Sequence, residues 1–185
     1  MSKLLTISVP DGKRAEWING VLTLIDEPKV DNRPVTERIK TFKDACNELG
    51  EENVLVQAYR TADFNTSGNQ NDVSDVFAYL KLRIIAAALN EGWEPKFEED
   101  KYRYFPWFKL YTKEQYEELD DEEKGRVVYR GNSYAYAYGG VSCAFAYNDA
   151  SYSIANIGSR LAFRTYELAV YAGKQFLDEW ANFVF

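Results

Sequence analysis

The chain has 185 residues, 46% of them hydrophobic, and a formal net charge of −7. That length suits one domain, or a small domain with an appendage, and can bury a core without staples. The acidic balance disfavours nucleic acid and anionic membranes, which need a concentration of Lys and Arg, and the absence of His excludes His-based triads and most catalytic zinc patterns.

Residues 4–9 alternate in polarity and end at Pro10-Asp11-Gly12, which predicts a short strand closed by a turn. Residues 15–24 are mixed and carry no assignment. Residues 26–34 hold Pro28, Pro34 and several charges and are expected to be an exposed connector. Residues 1–34 are thus an N-terminal strand and connector, and 35–185 a single α+β domain.

Thr41 and Asp44 have capping-box spacing, with Asp in place of the usual Glu. Phe42, Ala45, Cys46 and Leu49 then share a helical face, and Gly50 is placed to stop the helix. Residues 62–72 form a polar loop, after which Ser74 is expected to cap a helix with the stripe Val76, Phe77, Leu80, Ile84, Ala87 and Ala88, with Ile85 as a further candidate, ending at Gly92.

Residues 93–111 are dense in aromatics, and Pro106 argues against a central strand there. The block Tyr104–Phe108 is read as core, because Trp and Phe bury the most area. Thr112 with Gln115 offers another helix start. Residues 120–125 form a charged turn. Short strands and loops are expected from Arg126 to Phe163. Thr165 then caps a last helix with Leu168, Ala169, Ala172, Phe176 and Trp180 on one side, weakened slightly by Gly173.

The N-terminus lacks a secretory pattern, and no apolar run approaches membrane-spanning length. Cys46 and Cys143 are far apart and fit free thiols in a reducing compartment. Synthesis in the cytoplasm without a signal peptide follows, and leaves virion association open. No phosphate-cradling or dinucleotide motif is present. The acidic runs at 98–100 and 120–123 read as solvated faces. Cys143 has no histidine to activate it and reads as a small buried hydrophobe. No catalytic residue, cofactor or metal is assigned.

Between Arg130 and Arg160 charge almost disappears; Asp149 is the sole carboxylate. Tyr, Ser, Ala, Gly and Asn dominate, a recognition alphabet in which Tyr supplies stiff contact area and the small polar residues supply adaptable hydrogen bonds. Tyr134, Tyr136 and Tyr138 alternate with Ala135 and Ala137. Phe145 and Tyr147 alternate with Ala144 and Ala146. As strands, these runs set alanines toward an underlying layer and aromatics outward. The expected ligand-binding residues are Tyr134, Tyr136, Tyr138, Tyr147 and Tyr152 as anchors, with Asn132, Ser133, Asn148 and Asp149 as polar contacts. Arg130 and Arg160 are expected to hold the frame.

The flanks of this span, residues 127–133 (Val-Val-Tyr-Arg-Gly-Asn-Ser) and 156–161 (Asn-Ile-Gly-Ser-Arg-Leu), resemble the framing motifs of the formylglycine-generating-enzyme type of C-type lectin fold. Arg130, Gly131, Ser133, Gly158, Arg160 and Leu161 match that pattern; Asn132, Tyr134 and Ser159 depart from it. The catalytic cysteine pair of the enzyme branch is not recognisable, so the resemblance does not imply that activity here. The same frame serves variable proteins of diversity-generating retroelements. Residues 38–46, 88–93, 104–108 and 167–176 are also similar to a family of proteins from gut Bacteroidales and their phages. The resemblance implies a C-type-lectin-like C-terminal half with its variable segment at 126–163, packed with several helices including a C-terminal one. It also implies noncatalytic recognition of a protein or glycan ligand on a cell surface, with a homo-oligomer as a further option. The alternative is a structural or assembly protein of a phage or mobile element, the Tyr/Ala segment lying between subunits. A formylglycine-forming type of enzyme ranks last.

Overall fold

The computed structural model describes residues 7–26, 31–62, 73–96, 98, 101–128, 140–149 and 159–184. It is a mixed α+β fold. The described residues hold eight α-helices and two small two-stranded antiparallel sheets, in two compact units that meet at Arg33–Pro34.

The first unit is a hairpin of β1 (Lys13–Ile18) and β2 (Val21–Asp26). Asn19 and Gly20 join the strands with φ of 50° and 78°. An Asn-Gly pair with both residues at positive φ matches the right-handed twist of the strands it connects. The register runs from Ile18↔Val21 to Lys13↔Asp26, and a Lys13–Asp26 ion pair of 3.0 Å closes the open end. The strand expected at 4–9 is not found in its described part, since residues 7–9 belong to no strand; residues 4–6 lie outside the described residues. The alternation that forms the sheet begins after the Pro10 turn.

The second unit opens with α1 (Val35–Arg38) and α2 (Phe42–Leu49). Thr41 caps α2 as its spacing predicts: its hydroxyl accepts from the Asp44 N–H at 3.1 Å, and Asp44 accepts from the Thr41 N–H at 2.8 Å. Gly50 ends α2 at φ 80°. Next comes α3 (Val54–Thr61), which Asn53 caps by accepting from the Leu55 N–H at 2.9 Å.

The centre of the unit is α4 (Ser74–Asn90). Its cap position is Val73, so Ser74 is the first helical residue rather than the cap. The expected stripe is also shifted. Of the expected residues Ile84, Ile85 and Ala88 are buried, Val76 is exposed, and Ala78, Leu82 and Leu89 join the buried face. Four helices touch α4: α2, α3, α7 and α8. A helix packed on several sides buries more than one stripe.

After α4 come β3 (Arg103–Tyr111), α5 (Lys113–Glu117), α6 (Asp121–Lys124) and β4 (Gly140–Asp149). Capping boxes start α5 (Thr112 with Gln115) and α6 (Asp120 with Glu123). The charged stretch expected as a turn is therefore a short capped helix. A 3-10 turn (Ser159–Leu161) leads to α7 (Tyr166–Gln175) and α8 (Leu177–Val184). The last helix expected from the sequence is broken at Phe176 (φ −115°, ψ 37°). The bend buries both Phe176 and Trp180 and stacks Phe183 of α8 on Tyr79 of α4 at 5.8 Å. Thr165 caps α7 as expected, accepting from the Leu168 N–H at 3.2 Å.

Pro106 sits inside β3 without disturbing the sheet. Tyr104 exchanges backbone bonds with Phe163, on the side away from β4. Pro106, two residues on, has the same parity, so its missing N–H faces away from the β4 ladder.

Candidate functional site

The β3–β4 sheet lies where the charge-poor span meets the helical core. It runs from Arg103↔Asp149 to Tyr111↔Gly140, with a bulge at Trp107/Phe108 that leaves Ala144 as the extra residue. One face packs on the C-terminal helices. There Pro106 and Ala146 are buried, Phe108 packs on Trp180 at 5.4 Å, and the Cys143 thiol lies against the Val170 carbonyl at 4.0 Å. Burial pushes the Cys143 thiol up to about 11, with Lys174 opposing only weakly. It is a poor nucleophile at neutral pH, in line with its reading as a small hydrophobe. Burial also raises the Cys46 thiol.

The other face carries Trp107, Lys109 and Tyr111 on β3, with Phe145 and Ser142 opposite on β4. Trp107 and Phe145 are stacked, centroids 5.8 Å apart and planes 13° from parallel, yet they remain 47% and 44% exposed. Lys109 Nζ stands 4.7 Å from the Tyr111 ring centroid, and the Ser142 hydroxyl lies 3.5 Å from that of Tyr111. The alternation expected at Phe145 and Ala146 is present: aromatic outward, alanine on the helices. Ala144 departs from it and is exposed, because the bulge shifts its register. The block Tyr104–Phe108 is divided rather than uniformly core: Phe105 and Pro106 are buried, and Trp107 is not. Trp107 is the surface aromatic that sequence reasoning missed. Alternation along β3 does not single it out, because Phe105 on the same side is buried.

Asn132, Ser133, Tyr134, Tyr136, Tyr138 and Tyr152 lie outside the described residues, as does Arg130. Tyr147, Asn148 and Asp149 are backbone positions of β4, in register with Phe105, Tyr104 and Arg103. Arg103 is fully buried, and its backbone partner in the ladder is Asp149.

Arg160, expected to hold the frame, is exposed. Other residues secure that end of the span. Buried Asn90 donates to the Ala162 carbonyl at 2.8 Å and accepts from the Arg164 N–H at 3.1 Å. Beside it, Glu91 ion-pairs with Arg164 and, at 2.5 Å, with Arg38, which also pairs with Glu48. Leu161, Ala162 and Phe163 are thereby held in the core, each no more than 1% exposed.

Two open depressions flank the sheet. One, about 360 Å³, is apolar and runs between β3 and α8, along Phe108, Leu110, Trp180 and Phe183. The other, about 660 Å³, is lined by Trp93, Tyr102, Tyr104, Lys96, Lys101 and Arg164 among others. Among the described residues no group of acids and cysteines could hold a metal ion, and no helix is long and apolar enough to cross a membrane. Comparison with protein-family models, curated proteins and solved structures returns no match.

Proposed function

We propose that this chain is a noncatalytic recognition protein, in which the outward β3–β4 face and the charge-poor span that supplies β4 form one ligand-binding surface. The observation that carries this reading is the stacked, half-exposed Trp107–Phe145 pair. Large aromatics fixed against each other lose little freedom on binding and bury much area, which is how anchor residues concentrate binding energy. Polar Ser142, Tyr111 and Lys109 surround them with adaptable hydrogen-bond partners. Tyr134, Tyr136, Tyr138, Tyr147 and Tyr152 are proposed to extend the anchors, with Asn132, Ser133, Asn148 and Asp149 as polar contacts. The lectin-like frame and the kinship with variable proteins of diversity-generating retroelements belong to this proposal. The ligand is a protein or glycan on a cell surface.

The test is binding of the labelled chain to intact gut Bacteroidales cells: untreated, protease-shaved or periodate-oxidised. The expected result is binding that one of the two treatments removes and that Trp107→Ala with Phe145→Ala, or Tyr136→Ala, weakens by about tenfold or more. Equal binding by wild type and these variants overturns the assignment. A second reading, an assembly protein of a phage or mobile element, is favoured by the apolar groove between β3 and α8. It predicts the chain in purified virions and no loss of incorporation on removing Trp107 and Phe145.

A further inference from the structure

Among the described residues the β1–β2 hairpin is a sheet of two strands. Such a pair is marginal in water unless further strands or a packing surface join it. Several of its apolar side chains are open: Trp17 is 74% exposed and Val21 64%. The two-residue turn makes Ile18 and Val21 a mutually hydrogen-bonded pair, so Glu16/Thr23 and Arg14/Ile25 are the bonded pairs further along. Lys13, Ala15 and Trp17 therefore direct their backbone groups to the outer edge of β1. The Lys13 N–H is already taken by the Pro10 carbonyl at 3.1 Å. The Ala15 and Trp17 N–H groups and the Lys13 and Ala15 carbonyls line an edge to which, among the described residues, no strand is paired.

We propose that this edge binds a second copy of the chain, β1 lying antiparallel to the partner's β1 about a two-fold axis at Ala15. The Ala15 N–H of each copy then reaches the partner's Ala15 carbonyl, and each Trp17 N–H reaches the partner's Lys13 carbonyl. Charge selects this register. An axis at Arg14 would set Arg14 against the partner's Arg14, and an axis at Glu16 would set Glu16 against the partner's Glu16. An axis at Lys13 opposes two lysines, and one at Trp17 runs the ladder into the turn. Only the Ala15 axis places Arg14 beside the partner's Glu16 on both sides, in a non-hydrogen-bonded pair, where cross-strand side chains come closest. Within one copy Arg14 and Glu16 already reach each other at 2.9 Å and stay half exposed, so both are positioned to face the axis. The joined sheet, β2-β1 continued by the partner's β1-β2, gathers Ala15, Trp17, Leu22 and Leu24 of both copies on one face, by the pairings Ala15↔Leu24 and Trp17↔Leu22. It also unites two recognition units in one particle, which raises avidity without any new ligand contact.

Sedimentation of the full chain tests this. Wild type is expected at twice the chain mass. Arg14→Glu and Glu16→Arg, each setting like charges across the axis, are expected at the single-chain mass. The double variant Arg14→Glu/Glu16→Arg, which restores opposite charges, is expected to return to twice the mass, separating loss of pairing from loss of folding. Ala15→Pro, which removes an outward N–H but no hairpin bond, should also be single. A wild type that stays single throughout the micromolar range overturns the proposal, including the case in which a different protein occupies the edge. So do single-charge variants that remain paired, or a swap that fails to restore pairing.

Discussion

Gly173 of α7 lies directly against Cys143 of β4, and a Cβ at position 173 would overlap the Cys143 Sγ and stand 2.9 Å from the Pro106 Cβ. The glycine is what lets the C-terminal helix approach the sheet. Gly173→Ala should therefore destabilise the fold by about 1–2 kcal/mol, because overpacking costs about 1–3 kcal/mol and outweighs the helix propensity gained, at most about 1 kcal/mol. Urea denaturation measures this. Adding Cys143→Ala should recover part of the loss, and a Gly173→Ala variant as stable as wild type would contradict the contact.

Glu91 joins α4 to the segment after the charge-poor span through Arg164 and Arg38, and does so from a left-handed backbone, φ 48°. Glu91→Ala loses the ion pairs and keeps the strained φ. Glu91→Gly loses the same pairs but relaxes the backbone, so it should be the milder change by about 1 kcal/mol. Thermal unfolding of the two variants against wild type reads the difference.

The Cys143 thiol, pushed up to about 11 from 9.0 by burial, should react slowly with iodoacetamide. Its rate should keep rising beyond pH 9 instead of levelling off there. The neutral thiol is the form the fold favours. Its contribution to stability is thus complete below the unfolded value near 9 and is lost as pH rises from there through the folded value near 11. Stability of wild type against Cys143→Ala across that window checks the sign.

Asp44 is held below the ordinary carboxylate range first by the Thr41 hydroxyl, then by the backbone N–H groups of Lys40 and Thr41. Its contribution is present above the unfolded value of 3.8 and fades as pH falls through the lower folded value. Thr41→Val should raise the Asp44 titration seen by NMR and cost about 1 kcal/mol through loss of the cap. An unmoved titration would show that the hydroxyl is not the dominant cause.

What could be read from the chain alone was local. Thr41 with Asp44, Thr112 with Gln115, Gly50 and Thr165 are helix ends whose partners lie within four residues, so spacing identifies them. Asn19-Gly20 is equally local and specifies the hairpin turn, a signal missed where residues 15–24 carried no assignment. The bulge at Ala144, the bend at Phe176 and the need for Gly173 depend on contacts between elements far apart in sequence, and no nearby pattern encodes them. The same division holds at the site. Outward Phe145 and inward Ala146 follow from alternation, whereas the exposure of Trp107, on the same side of β3 as buried Phe105, emerges only from the packing around the strand.

The hold that Asn90 keeps on residues 162 and 164 bears on how this chain can change over generations. One buried amide satisfies the Ala162 carbonyl and the Arg164 N–H at once, and an aliphatic side chain in its place would leave both groups without that partner. Leaving a buried polar group unsatisfied costs about 1–3 kcal/mol. Position 90 is therefore one at which the core imposes strong selection, because few side chains both donate and accept in that arrangement.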